Sequence, residues 1–404
     1  MKPGWRGTWA LAALLGSLAM LGPFSVDMYL PAFAAIGREF GVPRIAVQQT
    51  LSIYMFAFAF MMLWHGALSD ALGRRPVVLC ALAIYALATL GCAIAGNIES
   101  LWLFRALQGM SAGAGVVVGR AIIRDRFHGP EAQRLMSQVT LVFGIAPAVA
   151  PVLGGLMLAL AGWRSMFWVL FALVLGVLAW AARSLPETLP RGARQTLRPT
   201  ALWRNYRAVL GRGDFLLLAL MPTFNFCAFF IYIASAPTFI VDLLGLGSLG
   251  FAWLFIPMIV GIMGGATLSG HLAGRVSPLR TVRIGYATMF TGVAINLLIC
   301  WLLPPGVPWN VLPVLIFAAG SSLVTPSLTL ILLDMFPEIR GMASSLQNFV
   351  QFAVSGVVAG SIAPFISTSL GALAAGMAAF TLASFAIWLV YQNRARAQLK
   401  GWQP

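Results

Sequence analysis

Charge is scarce in this chain. Of 404 residues, 9% are charged and 60% are hydrophobic, with a mean hydropathy of +0.89. A soluble domain carries roughly 25% charged residues, so a water-facing globular surface is excluded. Cysteine is nearly absent: Cys80, Cys92, Cys227 and Cys300 each sit in an apolar run with no C-x-x-C pair, which excludes a disulfide scaffold. The three histidines, His65, His128 and His271, belong to no H-E-x-x-H, and G-x-S-x-G and a Walker loop are missing. Metalloprotease, serine hydrolase and ATP-driven pump chemistry are thereby disfavoured, and neither a cofactor nor a metal is expected. Strict apolar/polar alternation is lacking, so the chain is not an outer-membrane barrel. No ring of like charges suggests a channel.

Long apolar runs are what remains. They fall at 9–36, 45–68, 76–96, 100–123, 135–160, 163–183, 213–240, 249–272, 281–303, 309–333, 342–366 and 370–391. Each is long enough for a hydrocarbon core of about 30 Å, which takes roughly 20 residues of helix. The expected fold is an all-α polytopic membrane protein of twelve helices. The first run is too long for a signal-peptide core and is read as a retained span.

Basic residues orient these spans. The 26 Lys and Arg collect on one side, except Arg38, Arg44 and Arg164 on the other and Arg105 and Arg120 inside the fourth run. The positive-inside rule then predicts that both termini are cytoplasmic. It also accounts for the net charge of +15 without invoking nucleic acid. One long hydrophilic stretch, 184–212, carries six arginines and divides the chain into a bundle at 1–183 and a second at 213–404. It is read as a basic linker facing anionic lipid.

The halves echo each other. Pro31-Ala32-Phe33 closes the first run and Pro237-Thr238-Phe239 the seventh; Leu68-Ser69-Asp70-Ala71-Leu72 follows the second and Leu268-Ser269-Gly270-His271-Leu272 the eighth. Two six-helix repeats about a pseudo-two-fold axis are expected, with a substrate site at their interface.

Polar side chains inside apolar runs are the candidate functional residues. Asp27 is the only charged residue between Thr8 and Gly37. A charge at mid-membrane costs about 2.5–3.5 kcal/mol on insertion scales, and apolar surroundings favour a neutral carboxyl. Asp27 is therefore a candidate proton carrier; a wet carboxylate at the outer interface is the alternative. Arg105 lies at similar depth in the fourth run, where it either couples to Asp27 or snorkels to the headgroups. Gly66, Asp70, Gly73 and Arg74 form the turn after the second span, and Arg74 is expected to pair with Asp125. That contact is either a conformational latch or an ordinary charged turn. In the fifth run, Pro147 and Pro151 disrupt helical hydrogen bonds, while Gly154 and Gly155 permit close helix approach. Phe24, Met28, Tyr54, Phe224, Asn225, Phe226 and Tyr232 are candidate contacts for an apolar ligand.

These residues carry a resemblance. The loop Gly66–Leu79 resembles the signature loop of the major facilitator superfamily, and Leu103–Gly109 the fourth-helix arginine motif of its drug:proton antiporters. Three stretches resemble the bicyclomycin/chloramphenicol-resistance (Bcr/CflA) branch. They are Asp27-Met28-Tyr29-Leu30-Pro31-Ala32, Ala146–Gly155, and Phe336-Pro337-Glu338-Ile339-Arg340-Gly341 with the following Met342–Leu346. The resemblance implies an inner-membrane exporter that expels hydrophobic antibiotics in exchange for protons, with Asp27 and Arg105 in its proton and substrate machinery. Its partners would be a small hydrophobic drug-like substrate, protons and membrane lipid, and a monomer is expected. A metabolite exporter of the same fold, for an amino acid or sugar, is the alternative. Three departures stand out. Ala71 replaces a basic residue, Ala150 precedes Pro151 where glycine is usual, and Met20, Pro23 and Phe24 stand where some relatives carry a second acid.

Overall fold

A computed structural model describes residues 5–127, 129–194, 196–272, 275–336 and 340–400. The expected Phe336–Leu346 motif therefore has 337–339 outside the described residues, as is His128. All regular structure among the described residues is helical. Twelve helical stretches are long and apolar enough to cross a membrane, so the chain is a multi-pass membrane protein.

The chain divides into two compact units, 1–198 and 199–404. Unit 1 begins with α1 (Trp5–Asp27), a 3-10 turn (Leu30–Ala32) and α2 (Phe33–Phe40), which together make the first span. The other five spans are α3 (Arg44–Leu72), α4 (Arg74–Ala93), α5 (Ile98–Arg126), α6 (Gly129–Ala161) and α7 (Arg164–Ser184). Local chemistry sets several of their ends. Asn97 caps α5 by accepting from Ser100 N at 2.8 Å, which satisfies one orphan donor of the first turn. Pro31 opens the 3-10 turn that breaks the first span. Both prolines of α6 are accommodated inside one continuous helix.

Unit 2 opens with α8 (Pro199–Leu210), so the latter part of the hydrophilic stretch is a short amphipathic helix that packs on this unit. Its spans are α9 (Gly213–Ala234), α10 (Phe251–Leu272), α11 (Pro278–Leu302), α12 (Leu312–Asp334), α13 (Arg340–Val357) with α14 (Ala363–Ile366), and α15 (Leu370–Lys400). The repeated packing order is visible inside each unit. In unit 1, α3 packs on α5, α1 on α6, and α4 on α5 and α7; in unit 2, α10 packs on α12, α9 on α13, and α11 on α12 and α15.

Small residues let these helices touch backbone to backbone. A Cβ on Gly109 of α5 would strike the Tyr54 carbonyl of α3, and one on Gly154 of α6 would strike the Met28 carbonyl at the break of the first span. Backbone cannot move aside as a flexible side chain does. Gly109→Ala should therefore destabilise the protein by about 1–3 kcal/mol, the usual cost of overpacking. A lower melting temperature in detergent checks this; unchanged melting would show that α3 and α5 can separate freely.

Candidate functional site

The first span is interrupted where its one interior charge lies. α1 ends at Asp27, and the backbone passes through Met28 and Tyr29 before the 3-10 turn. Non-helical backbone at membrane depth is tolerated only where protein or a cavity satisfies its polar groups. Here a polar network from three neighbouring spans does so. Arg105 of α5 donates from Nη1 to the Ser25 carbonyl at 3.0 Å and to Gln108 Oε1 at 2.5 Å. Gln108 Nε2 donates onward to Thr89 Oγ1 of α4 at 2.8 Å. One turn away, the Tyr85 hydroxyl donates to the Leu21 carbonyl at 3.0 Å and is bonded to the Ser25 hydroxyl. Tyr29 bonds Thr50 of α3 at 2.9 Å.

Arg105 is wholly buried, at 0% exposure, and does not snorkel to headgroups. Its guanidinium lies between two rings, 4.8 Å from the Tyr29 centroid and 4.4 Å from that of Tyr54. Desolvated cation–π contacts of this kind contribute about 2 kcal/mol. Its Nε and Nη2 have no hydrogen-bond partner. Asp27, 6% exposed, is buried as well, so the wet-interface alternative does not apply. Among the described residues, no ion pair within 4 Å joins its carboxyl to Arg105; the guanidinium is instead anchored to Ser25, two residues earlier, and to Gln108.

The expected ligand contacts fall in both units. Phe24 and Met28 are buried in unit 1, and Tyr54 serves as a platform for Arg105. In unit 2, Tyr232 is buried and accepts from Asn296 Nδ2 at 2.6 Å. Asn225 is also buried, with no hydrogen-bond partner for its amide. Phe224 and Phe226 are half-buried, and their rings meet Phe380 at 5.9 Å and Phe352 at 6.5 Å.

A second cluster surrounds the turn between α3 and α4. Arg74 donates from Nε to Asp125 Oδ2 at 3.0 Å and from Nη1 to Ser69 Oγ at 2.7 Å, and it also pairs with Asp70. Gly73 joins the two helices at φ 107°, a conformation that L side chains rarely adopt. Glu187, beyond the end of α7, was not among the expected residues. Its Oε1 accepts from Arg74 N at 3.1 Å and its Oε2 from Arg75 N at 3.3 Å, so it caps α4 from 113 positions away. A carboxylate at a helix N-terminus is favoured by both the free donors and the macrodipole. Thr188 adds a bond to Asp125 Oδ2 at 2.7 Å. The turn is thus clamped from α5 and from the segment after α7.

Residues 15–360 match the Major Facilitator Superfamily model. The chain belongs to the Major Facilitator Superfamily. It is therefore a transporter and not an enzyme. The bicyclomycin resistance protein homolog of Haemophilus influenzae is 29% identical over 357 residues, 88% of this chain and 89% of that protein. Multidrug resistance protein D of Escherichia coli is 29% identical over 393 residues, 96% and 97% of the two chains. The crystal structure of a D-xylose-proton symporter superposes with a TM-score of 0.74 at 17% identity, covering 95% of this chain and 98% of that one, which bears on the fold alone. The first relative belongs by name with the branch that the Asp27–Ala32 and Ala146–Gly155 stretches resemble.

Proposed function

We propose that this superfamily member exports small hydrophobic, drug-like molecules from a bacterial cytoplasm in exchange for protons, by alternating access in the inner membrane, with both termini cytoplasmic. The observation that carries the reading is the burial of two ionisable residues at the broken first span: Asp27 is buried with no ion pair to Arg105, whose guanidinium is bound to the Ser25 carbonyl two residues earlier. A buried ionisable residue in a membrane helix is costly and is expected where charge must change during the cycle. A carboxyl free of an ion pair gains and loses a proton without first breaking a bond. The names of the two relatives support a drug as cargo. Arg105 holds the backbone of the first span in place, and the Arg74 cluster biases the conformational equilibrium as a latch. Lipid surrounds the protein, and a monomer suffices.

Two measurements test this. A susceptibility panel in an efflux-deficient host should show raised tolerance to several hydrophobic antibiotics, and a protonophore should abolish it. Tolerance that survives the protonophore would overturn proton coupling. The potential supplies the second: it contributes about 2.3 kcal/mol per net charge moved per 100 mV. With one proton exchanged, export of a neutral molecule should respond to both pH gradient and potential, and export of a monocation to the pH gradient alone.

The latch makes a separate prediction. Arg74→Ala removes contacts to Asp70, Ser69 and Asp125 that lie far in sequence from the Asp27 site. Turnover should fall at least tenfold while drug Kd changes less than threefold, because a latch shifts conformer populations and does not touch the ligand. Normal turnover with weakened binding would remove the latch assignment.

A further inference from the structure

The short helix α8 has two apolar sides, and protein covers one of them. It packs on α9 and α13, and its Tyr206 and Val209 are buried, with Leu202 half-buried. Trp203 and Leu210 are instead exposed, Trp203 at 68%. They stand seven residues apart and so share a face two turns long. At about 100° per residue that face lies roughly a quarter-turn from the buried one, and Arg207 and then Arg204 follow it around the axis. Both arginines are exposed. The local sequence offers no acid to offset them. Between Glu187 and Asp214 the chain has six arginines and no carboxylate. Glu187 is engaged at the start of α4, and Asp214 pairs with Arg394 at 3.8 Å.

We propose that α8 is an interfacial helix that binds anionic phospholipid, with Trp203 and Leu210 in the outer hydrocarbon and Arg204 and Arg207 on the phosphates of the adjoining leaflet. Leu210 is three residues from Gly213, where the α9 span begins, and three residues reach about 11 Å at most. The exposed face is thereby held at the edge of the bilayer. A helix that runs from protein-covered to apolar to basic around its axis fits that edge: one side lies on the spans, one in the acyl boundary and one at the headgroups. Tryptophan suits this depth, having an apolar body and a polar N–H. The arginines select the lipid. Each basic residue near an anionic surface gives roughly a fivefold gain in affinity, and a zwitterionic headgroup presents no net charge to match it. A soluble partner would have to displace the bilayer from a face three residues away from a span. This surface is independent of what the transporter carries.

Two spin labels read the depth of α8. In the full chain carrying Cys80→Ser and Cys300→Ser, a nitroxide is attached through Leu210→Cys or through Ala208→Cys. Ala208 is exposed and lies on the other side of the helix. The label is itself apolar and stands in for leucine at 210. Collision with neutral nickel-EDDA is measured in nanodiscs of phosphatidylcholine, alone or with one third phosphatidylglycerol. With phosphatidylglycerol, collision at 210 should be at least fivefold rarer than at 208; without it, that contrast should shrink at least twofold. Arg204→Gln with Arg207→Gln should make the contrast the same in both lipids. Arg204→Lys with Arg207→Lys should preserve the difference, since lysine keeps the charge. Trp203→Ser should lower the contrast below twofold in either lipid. Equal collision at the two positions in the parent protein would mean that α8 stands in water, open to a soluble partner, and would overturn the proposal. A contrast that ignores phosphatidylglycerol in the parent would overturn it as well, because the arginines would then bind no anionic headgroup. Neither result bears on proton-coupled export, which the susceptibility panel tests separately.

Discussion

Asp27→Asn should abolish uphill export, by at least a hundredfold, in protein that is still made, inserted and folded. The amide copies the shape of the carboxyl but exchanges no proton. The substitution breaks no ion pair with Arg105, whose guanidinium is bound to Ser25 and Gln108. The stability change should therefore stay within about 1–3 kcal/mol, the cost of leaving an amide donor of the buried side chain without a partner. The informative comparison is between two modes of transport in proteoliposomes. Accumulation against a gradient needs the proton and should vanish. Exchange of labelled for unlabelled drug at equal concentrations needs only the conformational cycle and should persist within about threefold. Uphill transport at the parent rate would remove Asp27 as the carrier. Loss of both modes would make it a structural or ligand-contacting residue instead.

The spans and the two principal charged residues were legible because hydrocarbon is an intolerant solvent. Twenty apolar residues in a row admit one reading, and a charge among them, such as Asp27 or Arg105, stands out. Uncharged polar residues do not. Thr89, Ser111 and Thr223 each bond a carbonyl one turn earlier in their own helix, so their presence says nothing about contacts across helices. Gln108 and Thr89 nonetheless form the bridge from Arg105 to α4. The one signal available was position: Gln108 follows Arg105 by three residues and shares its helix face. Glu187 was hidden for the opposite reason, as an acid in an arginine-rich hydrophilic stretch that reads as solvated. Its role appears only when folding brings it to the first turn of α4. The aromatic candidates show a third limit. Tyr54 was expected against a ligand, yet its ring faces a guanidinium, and composition cannot separate these uses of an aromatic side chain. The arrangement of Asp27 and Arg105 was legible only in part: each is buried, but the arginine's anchors are a backbone carbonyl and a glutamine.

That anchoring determines what should happen when Arg105 is replaced. Arg105→Ala removes the donor to the Ser25 carbonyl and to Gln108 Oε1, both buried. Each abandoned acceptor costs about 1–3 kcal/mol, and the stacking on Tyr29 and Tyr54 is lost as well. Melting temperature should fall, and export per folded molecule should drop at least a hundredfold, because the break of the first span is no longer held. Arg105→Lys separates the two functions of the side chain. An ammonium keeps the buried positive charge but lacks the planar fork that spans Ser25 and Gln108 while stacking between two rings. If the charge alone matters, lysine should restore export. If the fork positions the first span, lysine should recover part of the stability and less than about a tenth of the export. The geometry favours the second outcome, since no ion pair joins the guanidinium to the carboxyl, whereas its hydrogen bonds run to backbone and amide. Melting and export are to be measured on the same purified preparations, normalised to folded protein, with Gln108→Leu as a companion. Gln108→Leu removes one of the two anchors and leaves the charge, so its export should lie between those of the parent and Arg105→Lys. Full export by Arg105→Lys would show that the cation acts by charge alone, and positioning of the first span by Arg105 would then have to be abandoned.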